Sequence, residues 1–358
     1  MDLDAFRNRS VLVTGHTGFK GSWLAIWLAR LGARVTGYAL PPPTVPSNFV
    51  ASDVRGLLAA HHEADLRDTA RLEAAVYSAA PDVIFHLAAQ PIVRESYVHP
   101  RETFEVNVMG TVNLLEAVRQ LRNPCAVVVV TSDKCYENRE QVWGYRETEP
   151  MGGHDPYSAS KGAVEIVAAS YRRSFFTPAA AGQGIKLATA RAGNVIGGGD
   201  WAKDRIITDV VRHLLAGEPV PVRSPGSVRP WQHVLEPLCG YLTLAARMLQ
   251  SDDTSWCDAW NFGPIPGDEI PVCRLVELFI EAWGGGSWID TSDPKQPHEA
   301  AALRLNIDKA LHQLDWRPRW NVGEAVRRTA DWFRQYDRDG SSGMLAACRA
   351  DIEAYEGK

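Results

Sequence analysis

The chain has 358 residues, is 45% hydrophobic and 23% charged, and carries a formal net charge of −5. That is ordinary globular composition, enough for one large or two smaller domains, with no basic balance that would argue for nucleic acid. No apolar run approaches the ~20 residues that cross a bilayer. The six cysteines show no C-x-x-C spacing, and no metal site is expected. Reduced thiols, and a start without the charged and apolar regions of a secretion signal, predict a cytoplasmic protein.

In chain order, Val11-Leu12-Val13-Thr14 reads as a strand and Lys20 to Leu31 as a helix ending at Gly32. Between them runs Gly15-His16-Thr17-Gly18-Phe19-Lys20-Gly21, with glycines three apart. The first permits a tight turn, the second lets backbone approach a pyrophosphate, and the third allows close helix–strand packing. Phosphates would face the helix N-terminus, where free N–H groups and the dipole favour anions. Arg34 to Tyr38 is the next strand. The acid that dinucleotide folds place at its end is missing, and Tyr38-Ala39-Leu40 stands there, so this element does not choose between NAD and NADP. Pro41 to Asn48 reads as a loop at the sheet rim. Asp65-Leu66 is a candidate for the adenine region, with a helix cap the equal alternative for Asp65.

A helix near Thr69 to Ala79, a strand Asp82 to His86, a helix Phe104 to Leu121 and the apolar strand Ala126 to Val130 follow. Thr131-Ser132-Asp133-Lys134-Cys135-Tyr136 therefore lies at the carboxyl end of a strand, where open α/β sheets bind ligands. Tyr157 and Lys161, four apart, share one helix face; that helix continues through Ala163 to Arg173, and Gly184 to Arg191 reads as a further strand. These units predict an α/β fold, a Rossmann-like doubly wound parallel sheet with right-handed crossovers. From about Gly197 the pattern changes to Gly, Pro, Trp and Arg in loops, with helices at Ile206 to Ala216, Val234 to Leu249 and Val272 to Trp283. Residues 1–196, with later segments returning to them, are expected to bind the dinucleotide, and 197–358 to form mainly a smaller C-terminal substrate lobe. Asp339 to Lys358 has a weak helical pattern and no assignable chemistry.

Three segments, Thr14-Gly15-x-x-Gly18-Phe19-x-Gly21, His86-Leu87-Ala88-Ala89-Gln90 and Tyr157-x-x-x-Lys161, resemble the extended short-chain dehydrogenase/reductase superfamily. More narrowly, the chain is similar to the nucleotide-sugar 4,6-dehydratases. Within them it resembles the branch acting on CDP-D-glucose, through Gly15 to Gly21, Thr131 to Tyr136, Arg191 to Trp201, Arg229 to Val234 and Leu314 to Pro318. The dTDP-glucose branch carries Asp-Glu where this chain has Asp133-Lys134. The resemblance implies a lyase with bound NAD that is reduced and reoxidised in each turnover. NAD would be held by Gly15, Thr17, Gly18, Phe19, Lys20, Gly21, Asp65, Leu66, Leu87, Ala88, Ala89, Gln90, Tyr157 and Lys161. It implies Ser132, Asp133, Lys134, Tyr157 and Lys161 as the catalytic set, a nucleotide-sugar in the smaller lobe, a homodimer built through helices of the large domain, and deoxyhexose supply for cell-surface polysaccharide such as the O-antigen of lipopolysaccharide.

Dehydrating a hexose across C5–C6 is hard because the C5 proton is not acidic, and oxidising C4 to a ketone solves this. Tyr157 as a phenolate would take the O4 proton; an ordinary Tyr pKa near 10 then calls for a nearby cation, which Lys161 can supply. Ser132 would orient O4. Removing the C5 proton and protonating the departing hydroxyl needs a second pair, with Lys134 as base and Asp133 as acid. A substrate pyrophosphate suits arginine; Arg229 is carried by the family match, and Arg205 and Arg304 are weighed against solvated surface charge. Asn194 is a further contact, Trp201 or Trp231 could stack on the base, and Gln232, His233 and His298 are polar candidates without a role. A 4-epimerase would use the same cradle and Tyr–Lys pair without needing Asp133 and Lys134; an NAD-sensing binding protein of the same fold is the third reading.

Overall fold

The computed structural model describes residues 3–177, 184–293 and 303–357; His298 lies outside them. Seven parallel strands form the central sheet: β1 (Ser10–Thr14), β2 (Arg34–Ala39), β3 (Ala60–Glu63), β4 (Val83–His86), β5 (Cys125–Val130), β6 (Ile185–Ala192) and β7 (Ala259–Phe262). Their order across the sheet is β7-β6-β5-β4-β1-β2-β3. The direction of winding reverses between β1 and β4, where Thr14 is registered with His86. A cleft opens outside the carboxyl ends of the strands at such a reversal.

Alternate residues feed two cores. Val11, Val13, Val83, Phe85, Ala126 and Val128 face one helical layer; Leu12, Ile84, Val127 and Val129 face the other. The first layer holds α1 (Phe19–Arg30), and the second holds α2 (Thr69–Ala79), α3 (Gly110–Arg119) and α4 (Pro156–Ser174). The helical path into α3 starts at Pro100 rather than Phe104 and passes through one π-turn, Glu105–Met109. That turn shifts the helix phase and carries Asn107 inward, where its Nδ2 donates to Ser160 Oγ at 2.8 Å.

Past β6 the chain builds α5 (Ile206–Ala216), α6 (Leu235–Gln250), β7, α7 (Val272–Trp283), α8 (Val322–Asp339) and α9 (Met344–Glu356). Helix α6 packs back against β5 and β6, and β7 pairs with β6, so this half is interleaved with the sheet. The final helix braces α1: Trp27 Nε1 and Arg30 Nη2 donate to Glu356 at 2.9 and 3.0 Å. Glu236 on α6 completes the brace, accepting from the backbone of Arg319 and Trp320 and from the Tyr355 hydroxyl at 2.6 Å.

Candidate active site

Between β1 and α1 the backbone folds tightly on itself. Gly15 sits at φ +76°, its N–H donates to Tyr38 O at 2.9 Å, and its carbonyl accepts from Gly18 N at 3.1 Å. A Cβ at Gly15 would lie 2.7 Å from Ala88 N, and one at Gly21 only 2.1 Å from Gly15 O, so neither position admits a side chain. Gly18 is the N-cap of α1 and no side chain caps the helix, which leaves its first-turn N–H groups for an anion. The cradle fits a pyrophosphate. Beside it, Thr14 Oγ1 meets His86 Nδ1 at 2.7 Å, and His86 Nε2 meets Thr111 Oγ1 at 3.0 Å. Burial, and then the charge of Lys161, lower His86 to about 3, so the ring is neutral where β1, β4 and α3 meet.

The loop after β5 projects the second group of residues. Ser132 caps a short turn over Asp133–Cys135, accepting from Lys134 N at 3.2 Å and donating to Asp133 Oδ1 at 2.9 Å. Asp133 is 1% exposed; among the described residues its Oδ2 accepts no hydrogen bond, while Lys134 Nζ lies 3.6 Å from its Oδ1. Helix α4, capped by Asp155 through Ser158 N at 3.0 Å, brings Tyr157 and Lys161 into the same cleft, which measures about 760 Å³. Burial pushes Tyr157 up to about 12, against the opposing effects of a hydrogen bond with Ser132 and the charge of Arg205. Lys161 is lowered to about 8 by burial, with the Glu165 carboxylate acting the other way. Lys20 is lowered to about 7, first by burial and next by Arg205, so its charge is labile near neutral pH.

All five residues of the expected catalytic set line this one cleft, together with Gly15, Thr17, Gly18, Phe19, Lys20, Gly21, Asp65, Leu66, Leu87, Ala88 and Ala89. Gln90 is not part of the lining. Its Nε2 donates to Thr103 and its Oε1 accepts from Ile92 N, so it holds the following helices instead. Asp65 is fastened by Arg67, whose Nη2 lies 2.7 Å from Oδ2, and the cap of α2 is Asp68, not Asp65. Of the residues expected to bind substrate, Asn194, Trp201, Arg205 and Arg229 line the cleft, and Asn194 Oδ1 is buried without a hydrogen-bond partner among the described residues. Trp201 packs its ring among Trp332, Phe333 and Tyr336, with centroids 5.0–5.5 Å away. Arg304 stays outside the lining, donating to Val142 O at 3.0 Å and lying 3.8 Å from Glu269. Gln232 and His233 are buried structural groups: Gln232 donates to Phe262 O at 3.0 Å, and His233 packs edge-on against Trp23 and Trp320.

Sequence reasoning missed Arg94 and Arg223, which share Asp204 across the cleft mouth at 3.6 and 3.4 Å. No local motif marks either. It also passed over Glu165, although its spacing, four after Lys161, put it on the same helix face.

The family described as GDP-mannose 4,6 dehydratase matches residues 12–257, from β1 to just short of β7. The chain belongs to this family. A family relative named CDP-glucose 4,6-dehydratase, from Salmonella typhimurium, is 49% identical over 357 residues, covering 99% of this chain and 98% of that one. A dTDP-glucose 4,6-dehydratase of Streptomyces antibioticus is 30% identical, covering 91% and 92%. Among solved structures, dTDP-glucose 4,6-dehydratase from Streptomyces venezuelae, with NAD and TYD bound, superposes with a TM-score of 0.76 at 24% identity, covering 91% of this chain and 97% of that one. An epimerase from Methanothermobacter thermautotrophicus superposes at 0.79 and 23%, covering 94% and 95%. The family's parallel-sheet fold is therefore shared by dehydratases and epimerases.

Proposed function

We propose that the chain is an NAD-dependent hydro-lyase converting CDP-D-glucose to CDP-4-dehydro-6-deoxy-D-glucose and water. The observation that carries this reading is the Asp133–Lys134 couple, its Nζ–Oδ1 separation 3.6 Å, sharing one cleft with Tyr157 and Lys161. The near-full-length similarity to the Salmonella CDP-glucose 4,6-dehydratase supports both the reaction and the cytidine nucleotide. A 4-epimerase would leave the couple without work.

Gly15, Gly18, Gly21 and the N-terminus of α1 would hold the pyrophosphate of NAD, which when bound would supply the reversible hydride acceptor that oxidation at C4 and reduction at C6 require. Tyr157 would take the O4 proton as its phenolate, a form that burial opposes by pushing the phenol up to about 12 and that the Ser132 hydrogen bond and the charge of Arg205 favour; Ser132 orients O4. The ion pair of Asp133 and Lys134 becomes a neutral acid and base by moving one proton from Nζ to the carboxylate. Lys134 then takes the C5 proton while Asp133, whose free Oδ2 is buried, protonates the departing C6 hydroxyl. Lys134 gives its proton back to C5 as hydride reaches C6. Over the cycle the O4 proton held on Tyr157 balances the one that Asp133 gave to water. Asn194, Arg205 and Arg229 are proposed for the nucleotide-sugar, and Lys20 for whichever phosphate enters beside the α1 terminus.

The same reading takes residues 1–196 as the NAD-binding part and 197–358 as mainly the sugar-nucleotide lobe. It takes the protein as a cytoplasmic homodimer supplying deoxyhexose for cell-surface polysaccharide such as O-antigen. Incubation with CDP-glucose should yield a keto sugar that gains ultraviolet absorbance in alkali. A hexose inverted at C4, at unchanged oxidation level, would refute the lyase reading in favour of an epimerase.

A further inference from the structure

We infer that Glu165 and Arg191 form a buried clamp that sets the position of the Ser132–Lys134 loop, and that both are positioning residues for the elimination. The inference rests on the lyase reading above. Glu165 is 4% exposed and Arg191 is 4% exposed, and Arg191 Nη2 lies 2.8 Å from Glu165 Oε2. The remaining acceptor capacity of the carboxylate takes the Thr131 hydroxyl, and the Thr189 hydroxyl at 2.7 Å. The other arm of the guanidinium, Nη1, donates to Tyr136 OH at 2.7 Å and to Glu147 O at 3.1 Å. Tyr136 OH passes the chain on to Asn261 Oδ1 at 2.7 Å, on β7.

Thr131 and Tyr136 are the two ends of the segment that carries Ser132, Asp133 and Lys134. One ion pair therefore grips this loop from both sides and ties it to α4, β6 and β7. A buried pair is a poor source of net stability, because desolvation offsets much of its attraction. Its geometry is nonetheless strict, since either partner left alone would be an uncompensated buried charge. Glu165 also lies one turn beyond Lys161, which lies one turn beyond Tyr157, so the clamp and the redox pair share a helix face.

The Glu165 carboxylate raises Lys161 against burial, which holds it at about 8. The groups that act on Lys161 or feel its charge are Glu165 on its own helix, Cys135 on the loop after β5, His86 on β4 and Lys20 on α1. Removing the carboxylate charge lowers the pH at which Lys161 loses its proton. Activity that needs the ammonium is then lost at lower pH.

The test is kinetic, on the NAD-loaded full chain with CDP-glucose, comparing Glu165→Gln and Tyr136→Phe with wild type. Glu165→Gln should lower kcat about ten- to a hundredfold with little change in KM and move the alkaline limb of kcat to lower pH; Glu165→Asp should restore part of both. Tyr136→Phe keeps the ion pair and releases one end of the loop. It should fold normally and let NADH accumulate, since oxidation continues while elimination slows. A Glu165→Gln protein with the wild-type pH profile, or a Tyr136→Phe protein that forms keto sugar at the wild-type rate without NADH, overturns the clamp. If Glu165→Gln does not fold, Tyr136→Phe alone decides. Failure of wild type to make keto sugar would refute the lyase reading itself and is read separately.

Discussion

At the residue scale the account depends on a division of labour between two pairs. In the proposed reaction Tyr157 and Lys161 serve the oxidation, and Asp133 and Lys134 the elimination. Replacing Lys134 by Ala should leave hydride transfer to NAD in place and slow keto-sugar formation by about 10²–10⁴, seen as NADH absorbance that rises and stays. Wild-type keto-sugar formation in that variant would remove Lys134 from its role. Tyr157→Phe should fail earlier, with the first appearance of NADH slowed by a similar factor; NADH at the wild-type rate would contradict the assignment. The five residues proposed as catalytic, which share one cleft, stood out in the sequence because their motifs are contiguous or four apart. The pairing of Arg94 and Arg223 with Asp204 was not legible, because it joins segments separated in sequence. Gln90 and Arg304 show the converse. Each has the right chemistry for a site, and each is taken up by neighbours, Thr103 and Ile92 in one case and Val142 and Glu269 in the other.

At the element scale, the strands with apolar runs and the long amphipathic helices were readable, and the edges of the sheet were not. β3 is Ala-His-His-Glu at an open edge, where one flank needs no hydrophobic pattern. β7 is four residues long and polar at Asn261, whose side chain ties the sheet to Tyr145 and Asn306. The C-terminal α9 had a weak pattern because its work is local: Tyr355 and Glu356 close on Glu236, Trp27 and Arg30. The junction of α1, α6 and α8 carries a pH prediction through His233. The ring is fully buried, its Nδ1 accepts from Leu235 N at 3.3 Å, and its Nε2 has no partner. Burial, with help from Arg328, lowers it from 6.5 to about 3, so the fold requires the neutral form. The stability this group contributes is complete above pH 6.5 and is lost as pH falls toward about 3. His233→Phe should therefore gain on wild type as pH falls from 6.5 toward about 3, by at most about 1 kcal/mol per pH unit, measured by denaturant unfolding. Parallel stability profiles for the two proteins would contradict it.

At the scale of the whole molecule, the outer faces of the helical run 100–119 and of α4 expose Phe104, Met109 and Ile166. Apolar surface on two adjacent helices suits a self-complementary interface about a two-fold axis. Light scattering should give twice the 39.5 kDa chain mass, and Met109→Glu combined with Ile166→Glu should give the monomer; a wild-type monomer at micromolar concentration would oppose this. The shared fold of dehydratases and epimerases leaves the reaction to be decided by the cleft. The most direct measurement follows CDP-glucose labelled with deuterium at C4. The label should leave C4 and reappear in the C6 methyl group of the keto product, carried there within one turnover. Deuterium retained at C4 of a hexose product, or absent from C6 of the keto sugar, would contradict the internal hydride return on which the proposed function stands.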